Sequence, residues 1–313
     1  MEFSLLLINQ IAAIFIMILV GFGVVKLKIL KCEDSVVLAK LTMYVIAPFM
    51  ILNAYQLEYS NEKLVEFAFG IALSLILKLA HIALTALLNK AKPMSNAERA
   101  SLIYSNAGNL IIPLVNNVLG AEGVFFVCSY IIAQSTFFWT HGMYVMGGKE
   151  QISLKKLVTN PNLIAIAVGF VLFVSRFQLP AIPRNAIAQI GSTVGPLAMF
   201  VIGMIIAGSD LKKVLANRRA YFVTFGRLVV FPALTIVGFW AVGAGSWAPR
   251  WRAVLVVFVL CFSAPSASNV SQSAAVFKSD AELASVINIT SVLFCIVTIP
   301  LMTQLYQMLC GVV

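Results

Sequence analysis

The chain has 313 residues, of which 61% are hydrophobic and 11% are charged, and its mean hydropathy is +0.97. This composition leaves too little polar surface for a soluble fold, so we expect an all-α integral membrane protein embedded in the lipid bilayer. The net charge of +10 does not indicate a nucleic-acid-binding protein, because the basic residues lie singly or in twos and threes at the ends of apolar runs.

Apolar stretches close to the ~20 residues that cross a bilayer recur along the whole chain. The first is followed by Lys26, Lys28 and Lys31 and has no basic segment before it, so we interpret it as a retained span and not as a signal peptide. The sequence predicts ten transmembrane helices, approximately Ile8–Leu27, Val36–Tyr55, Leu64–Leu88, Ala100–Leu119, Val124–Met146, Leu163–Leu179, Ile187–Ala207, Tyr221–Val242, Ala253–Val276 and Leu283–Leu309.

The basic residues indicate how these spans are oriented. If the N-terminus lies outside, about fifteen Lys and Arg residues, Lys278 among them, fall in cytoplasmic connections, and about five fall outside. We therefore expect a multi-pass protein of the cell (plasma or inner) membrane with both termini on the extracytoplasmic side.

The short polar connection from Gly147 to Asn160 divides the chain in the middle. Residues 1–147 then form a first five-helix repeat, residues 148–160 a cytoplasmic linker and residues 161–313 a second five-helix repeat. An odd number of spans in each half gives the halves opposite orientations, which predicts a 5+5 inverted repeat. Ala121-Glu122 resembles Ala281-Glu282, and Arg99 to Pro113 resembles Arg252 to Pro265.

The fourth and ninth spans are each interrupted by a proline among small and amide residues. A proline removes one amide hydrogen and crowds a carbonyl group, so both helices are expected to be broken and to expose half-helix ends. Matching breaks in two inverted halves indicate a binding site in the membrane, whereas the other interpretation is a pair of simple kinks packed by their neighbours. The predicted substrate-binding residues are Asn106, Asn109, Pro113, Pro265, Ser266, Ser268 and Asn269.

Charged residues are expected at only two places inside the spans. Lys78 is either a functional residue or a side chain that snorkels to the inner interface, and we expect Arg227 to snorkel. We expect no carboxylate inside the spans, which favours an organic anion over a cation as substrate. Proton coupling would have to use Lys78, a histidine or the substrate, and a sodium site built from freed carbonyl groups is also open.

These residues resemble the auxin efflux carrier family, which includes plant auxin exporters and bacterial malate and malonate permeases. The resemblance implies a ten-helix fold like that of the bile-acid sodium symporters, with crossed, broken helices 4 and 9. It also implies a dimerising scaffold of helices 1, 2, 6 and 7, and a moving domain of helices 3–5 and 8–10 that carries substrate by an elevator motion. The resemblance lies in Ser105-Asn106-Ala107-Gly108 to Pro113, Ser263 to Asn269, Pro48 after Tyr44, and Thr290 to Pro300.

The resemblance assigns roles to single positions. Asn106 matches the crossover asparagine, Pro113 and Pro265 match the crossover prolines, and Lys78 and Gln134 match a lysine and a glutamine of a support site behind the crossover. Plant carriers have an aspartate one turn before that lysine, where this chain has Ser74, so the expected ion pair is lost. The short linker indicates a prokaryotic member.

We therefore expect a secondary transporter for a small organic anion, either a dicarboxylate such as malate or an auxin-like monocarboxylate. It is expected to be a homodimer with no cofactor, no metal site and no nucleic-acid partner, and to use H⁺ or Na⁺ if it is ion-coupled. The alternatives are a membrane-embedded sensor that binds a ligand without moving it, and a sodium-coupled symporter of another organic anion. No enzyme motif is present.

Overall fold

The structure is a computed structural model that describes residues 2–277 and 279–311; the side chains of residues 2–8, 11, 211, 213 and 215 are also outside the description. The described residues form helices joined by short connections, and the only extended pairing among them is an isolated antiparallel bridge between Ser105 and Ser266. Lys278, which we counted among the cytoplasmic basic residues, lies outside the described residues.

The elements follow one another in the order in which the sequence predicts the spans. Two short 3₁₀ turns, Lys149–Gln151 and Ala244–Ser246, lie in connections. The α-helices are α1 (Glu2–Lys26), α2 (Asp34–Leu41), α3 (Ala47–Ala54), α4 (Asn61–Ala91), α5 (Asn96–Ile103), α6 (Ile112–Phe137), α7 (Met143–Gly147), α8 (Leu154–Val158), α9 (Pro161–Val174), α10 (Ala181–Ser192), α11 (Val194–Gly208), α12 (Leu211–Ala216), α13 (Arg218–Phe225), α14 (Phe231–Ala241), α15 (Pro249–Phe262), α16 (Ser268–Val276) and α17 (Ala281–Cys310).

Several of these helices are long and apolar enough to cross a membrane. Among the described residues there are six such stretches, or seven if the bent pair Lys149–Val158 and Pro161–Val174 forms one span. The stretch Ala107–Gly147 counts once although Gly120 inside it has a left-handed φ of 67°, and the short α5, α15 and α16 are not counted at all. The chain is therefore an all-helical multi-pass membrane protein, and the total of ten spans stays a prediction.

Wide π-helical turns precede three of the prolines. The turns Thr42–Ile46, Ala107–Ile111 and Gly226–Val230 end two residues before Pro48, Pro113 and Pro232, respectively. A proline ring crowds the carbonyl group one turn back, and a wider turn makes room for it without ending the helix.

The helices group into two compact units. The first comprises Met1–Phe67, Gly108–Cys128 and Val158–Leu211, and in it α1 packs along α11 through small residues. A Cβ atom added to Gly21 would lie 2.7 Å from the Cα atom of Phe200, so the two backbones touch there. Membrane helices use small residues in this way because close approach increases van der Waals contact.

The second unit comprises Ala68–Ala107, Ser129–Leu157 and Lys212–Val313, and its longest helix, α17, packs against α13, α14, α15 and α16. The short α5 begins with a capping box: Ser95 accepts from the Glu98 amide at 3.3 Å, and the Ser95 amide donates to Glu98 Oε2 at 2.7 Å. The buried Glu98 carboxylate also pairs with Arg219 at 3.2 Å. These contacts fix the start of the helix that leads into the first break.

The units do not coincide with the two predicted repeats, because each unit draws helices from both halves of the chain. The first holds α1–α3 and α9–α11 together with residues 108–128, and the second holds most of the remaining helices. The division into residues 1–147, 148–160 and 161–313, and the scaffold and transport domains that the resemblance implies, stay predictions.

Candidate substrate site at two helix breaks

Two helices of the second unit end abruptly, and after each of these ends the chain becomes helical again within a few residues. The first, α5, ends at Ile103, and helical structure resumes at Ala107 after a non-helical segment, Tyr104–Asn106. The second, α15, ends at Phe262, and α16 begins at Ser268. We call these two non-helical segments, residues 104–106 and 263–267, the first and second break.

The two breaks cross and pair with each other. Ser105 and Ser266 form an antiparallel bridge. The Asn106 amide donates to the Pro265 carbonyl at 2.8 Å, and the Ala267 amide donates to the Tyr104 carbonyl at 3.0 Å. Hydrocarbon offers no partner to a backbone group, so this pairing explains how two broken helices persist in a membrane protein.

The side chain of Asn106 lies at the crossing and is 6% exposed. Its Nδ2 atom donates to Ser268 Oγ at 3.2 Å, and Ser268 is the first residue of α16, followed by Asn269. Both Ser268 and Asn269 are partly exposed. The N-terminal end of a helix carries about half a positive elementary charge, so amide and hydroxyl donors lie here beside a positive helix end.

The second break is held from behind by α17. Asn288 Nδ2 donates to the Ser266 carbonyl at 2.7 Å, and the Ser266 amide donates to Ser291 Oγ at 3.0 Å. The Ser266 hydroxyl is fully buried and, within the described part of the chain, has no hydrogen-bond partner; the same holds for the hydroxyl of Ser263. Buried polar atoms are rarely left unpaired, so the second break has donor capacity that the protein itself does not use.

The first break is held by side chains of α4 and α6. Gln134 Nε2 donates to the Ser105 carbonyl at 2.8 Å, the Tyr130 hydroxyl lies 2.6 Å from Ser105 Oγ, and Lys78 Nζ donates to the Ile103 carbonyl at 3.0 Å. The structure therefore places Lys78 and Gln134 together behind the crossing.

Lys78 is fully buried in an aromatic cage. Its ammonium group lies 5.0, 5.4 and 5.7 Å from the ring centroids of Tyr130, Phe262 and Tyr104, respectively. Ser74, at the position where the resemblance implies an aspartate, donates to the Gly70 carbonyl of its own helix at 2.8 Å. A buried ammonium that binds a carbonyl and aromatic faces is not snorkelling.

Two expectations about charge need correction. Arg227 does not snorkel: it is fully buried, and its Nε and Nη1 atoms donate to the carbonyl groups of Ala264 and Leu102 at 3.0 and 3.3 Å. The spans are not free of carboxylates either, because Glu66 lies inside the third predicted span, near the start of α4, and is 5% exposed. Glu66 belongs to the first unit, whereas the crossing lies entirely in the second.

Asn109 and Pro113 are placed differently from the other predicted site residues. Asn109 lies inside the π-helical turn Ala107–Ile111, and Pro113 follows that turn inside α6, so the helix is not broken at either residue. The widened turn accommodates the proline ring, and the break lies upstream at residues 104–106. Both residues belong to the first unit, where Gly195 approaches Pro113 closely; their role in substrate binding stays a prediction.

Sequence reasoning missed four residues that hold the crossing: Tyr130, Arg227, Asn288 and Ser291. Asn288 and Ser291 are polar side chains inside the tenth predicted span, a signal that we used only for the residues around the prolines. Tyr130 gave no such signal, because tyrosine is common in membrane helices.

Comparisons with known proteins agree with the sequence resemblance. A family model described as a membrane transport protein matches residues 6–155 and 149–303. A stretch of 93 residues is 32% identical to auxin efflux carrier component 1 of Arabidopsis thaliana. This stretch covers 28% of the chain and only 15% of that protein.

Proposed function

The chain belongs to the membrane transport protein family, and on that premise we propose that it is a secondary carrier for a small organic anion. The family-model match and the identity to auxin efflux carrier component 1 confirm the resemblance to the auxin efflux carrier family, which is a family of membrane transporters. The observation that carries the proposal is the contact between Asn106 and Ser268, where amide and hydroxyl donors meet the start of α16.

An anion suits this crossing better than a cation. The donors at Asn106, Ser268 and Asn269 stand beside a positive helix end, and the buried charges nearby, Lys78 and Arg227, are both positive. We favour dicarboxylates such as malate, and auxin-like monocarboxylates are the second class. The positive charges of Lys78 and Arg227 are compatible with coupling of transport to H⁺ or Na⁺.

We propose an elevator motion as the mechanism. It is supported by the finding that both breaks, with all the side chains that hold them, belong to one compact unit. In an elevator motion this unit moves as a rigid body with the substrate bound to it. Dimerisation through the first, second, sixth and seventh predicted spans is part of this proposal.

The proposed inverted repeat is supported by local backbone conformation. Gly120 and Asp280 have left-handed φ angles of 67° and 50°, and each is followed by Ala-Glu at the start of a helical stretch. Their ψ angles differ, −163° at Gly120 and 50° at Asp280, so what recurs in the two halves is a positive φ followed by Ala-Glu at a helix start. This recurrence at the same place in both halves favours duplication over chance. The ten-span topology with extracytoplasmic termini in the cell membrane is proposed from the apolar stretches and the distribution of basic residues along the sequence.

A flux assay tests the proposed function. Proteoliposomes that contain the purified protein should accumulate at least one radiolabelled mono- or dicarboxylate from a panel that includes L-malate, and empty liposomes should not. Imposing pH and sodium gradients separately identifies the coupling ion, if there is one. Saturable binding of a labelled anion with no flux under any gradient would contradict the carrier and favour the sensor.

A further inference from the structure

Arg227 connects the two helices that lead into the breaks. It lies in the π-helical turn Gly226–Val230 and is fully buried. Its Nη1 atom donates to the carbonyl of Leu102, in the last turn of α5, and its Nε atom donates to the carbonyl of Ala264, just beyond the end of α15. One guanidinium group therefore binds the C-terminal ends of both broken helices.

These two ends carry negative partial charge. The last carbonyl groups of a helix have no intrahelical partner and sum to about half a negative elementary charge, which a cation stabilises. Lys78 adds a second cation at the Ile103 carbonyl.

The fields of four helix ends act on an anion at the crossing. Two negative and two positive helix ends meet there, and without the cations their fields would largely cancel. With the negative ends covered by Arg227 and Lys78, the positive start of α16 dominates. An arginine side chain stays protonated in proteins, so the charge is permanent.

We propose that Arg227 is a positioning residue that makes the crossing selective for anions, acting through the carbonyl groups of Leu102 and Ala264. The inference rests on the proposed function only in that it needs an organic anion as ligand, because Arg227 would act on binding whether or not transport follows.

Charge and hydrogen bonding can be separated at this position. Arg227→Lys keeps the positive charge and a donor, whereas Arg227→Gln keeps a donor and loses the charge. The matched control is Arg218→Gln, which makes the same change at an exposed arginine of the neighbouring α13. Lys78→Gln independently removes a charge from the end of α5, and it is the variant to use if Arg227→Gln does not fold.

The measurement is binding of radiolabelled L-malate to the purified, detergent-solubilised protein, with succinate and monomethyl succinate as competitors. The two competitors have nearly the same shape, but the ester carries one negative charge fewer. We expect Arg227→Gln and Lys78→Gln to weaken malate binding about tenfold or more, to lower the preference for succinate over its ester, and to leave the protein monodisperse. Arg227→Lys should restore most of the malate affinity and most of the preference for succinate over its ester. Arg218→Gln should change neither the affinity nor the preference.

Equal weakening of succinate and its ester in Arg227→Gln, with no recovery in Arg227→Lys, would assign Arg227 a purely structural role and overturn the inference. Malate binding without flux in the wild type would overturn the carrier and leave this binding test intact. A wild-type protein that neither binds nor transports malate or any other organic anion would remove both proposals.

Discussion

Gln134 and Asn288 make matching contacts on the two breaks. Each amide side chain donates to the backbone carbonyl of the bridging serine, Gln134 to Ser105 at 2.8 Å and Asn288 to Ser266 at 2.7 Å. The two serines face each other in the antiparallel bridge, so the amides hold the crossing from both ends.

Replacement of either amide by leucine should loosen the crossing. We expect Gln134→Leu and Asn288→Leu each to lower the free energy of unfolding by about 1 kcal/mol, the typical worth of a side-chain hydrogen bond in a membrane protein, and to reduce uptake. Thermal unfolding of the purified variants in detergent measures the first effect. Gln304→Leu, at an exposed position of α17, is the control and should leave both quantities unchanged.

Because the two serines belong to one bridge, the paired variants should not be independent. In Gln134→Leu/Asn288→Leu, the loss of stability should differ from the sum of the single losses by more than about 0.5 kcal/mol, the usual limit of additivity for separate sites. A strictly additive result would mean that the two breaks do not support each other.

The close contact between α1 and α11 can be tested with two glycines of α1. Gly21→Ala should lower the melting temperature markedly, because the new Cβ would lie 2.7 Å from the Cα atom of Phe200 and the backbone would have to move. Gly23→Ala meets no atom within 4 Å and should be neutral or slightly stabilising, since alanine favours a helix more than glycine does. Equal melting temperatures for both variants would contradict the packing.

Cys32 provides a test of orientation. It lies between α1 and α2 and is partly exposed, whereas Cys128, Cys261, Cys295 and Cys310 are buried. With the proposed topology this connection is cytoplasmic, so a membrane-impermeant maleimide should label wild-type protein in inside-out vesicles and not in intact cells. Cys32→Ser should abolish the signal, and labelling of intact cells would reverse the orientation.

The same cysteine should react in a pH-dependent way. Burial and, to a lesser extent, the negative charge of Glu33 raise the pKa of the Cys32 thiol above its usual range, and a backbone hydrogen bond from Gly208 partly opposes them. The thiolate is the reactive form, so a raised pKa slows labelling near neutral pH and shifts the rise in rate to higher pH. Glu33→Gln removes the negative charge and should speed labelling at neutral pH; an unchanged pH profile would contradict the assigned cause.

Much of the crossing could be predicted from the sequence. An asparagine, serines and prolines inside apolar spans are costly unless they are used, and this signal identified Asn106, Ser266 and Ser268, which the structure brings together. Lys78 and Gln134 were assigned by family resemblance, and both bind carbonyl groups next to or within the first break.

The remainder depended on tertiary structure. The long side chain of Arg227 could have reached the interface, and only its contacts with the carbonyl groups of Leu102 and Ala264 reveal that it turns inwards. Pro113 follows a widened turn while Pro265 lies inside a break, because a proline can be accommodated in either way. A sequence comparison that aligns the two prolines therefore misses that Ser105 is the residue opposite Ser266.

The most direct test is uptake by Asn106→Ala in proteoliposomes, measured with the organic anion that the wild type accumulates best. The side chain supplies the amide that meets Ser268 at the start of α16, and its backbone pairing with Pro265 is unaffected by alanine. We predict that Asn106→Ala remains folded and monodisperse and loses uptake at least about tenfold, while Asn185→Ala, at an exposed position of α10, transports normally. A folded Asn106→Ala protein with wild-type uptake and wild-type KM would contradict a substrate site at the crossing of the two breaks.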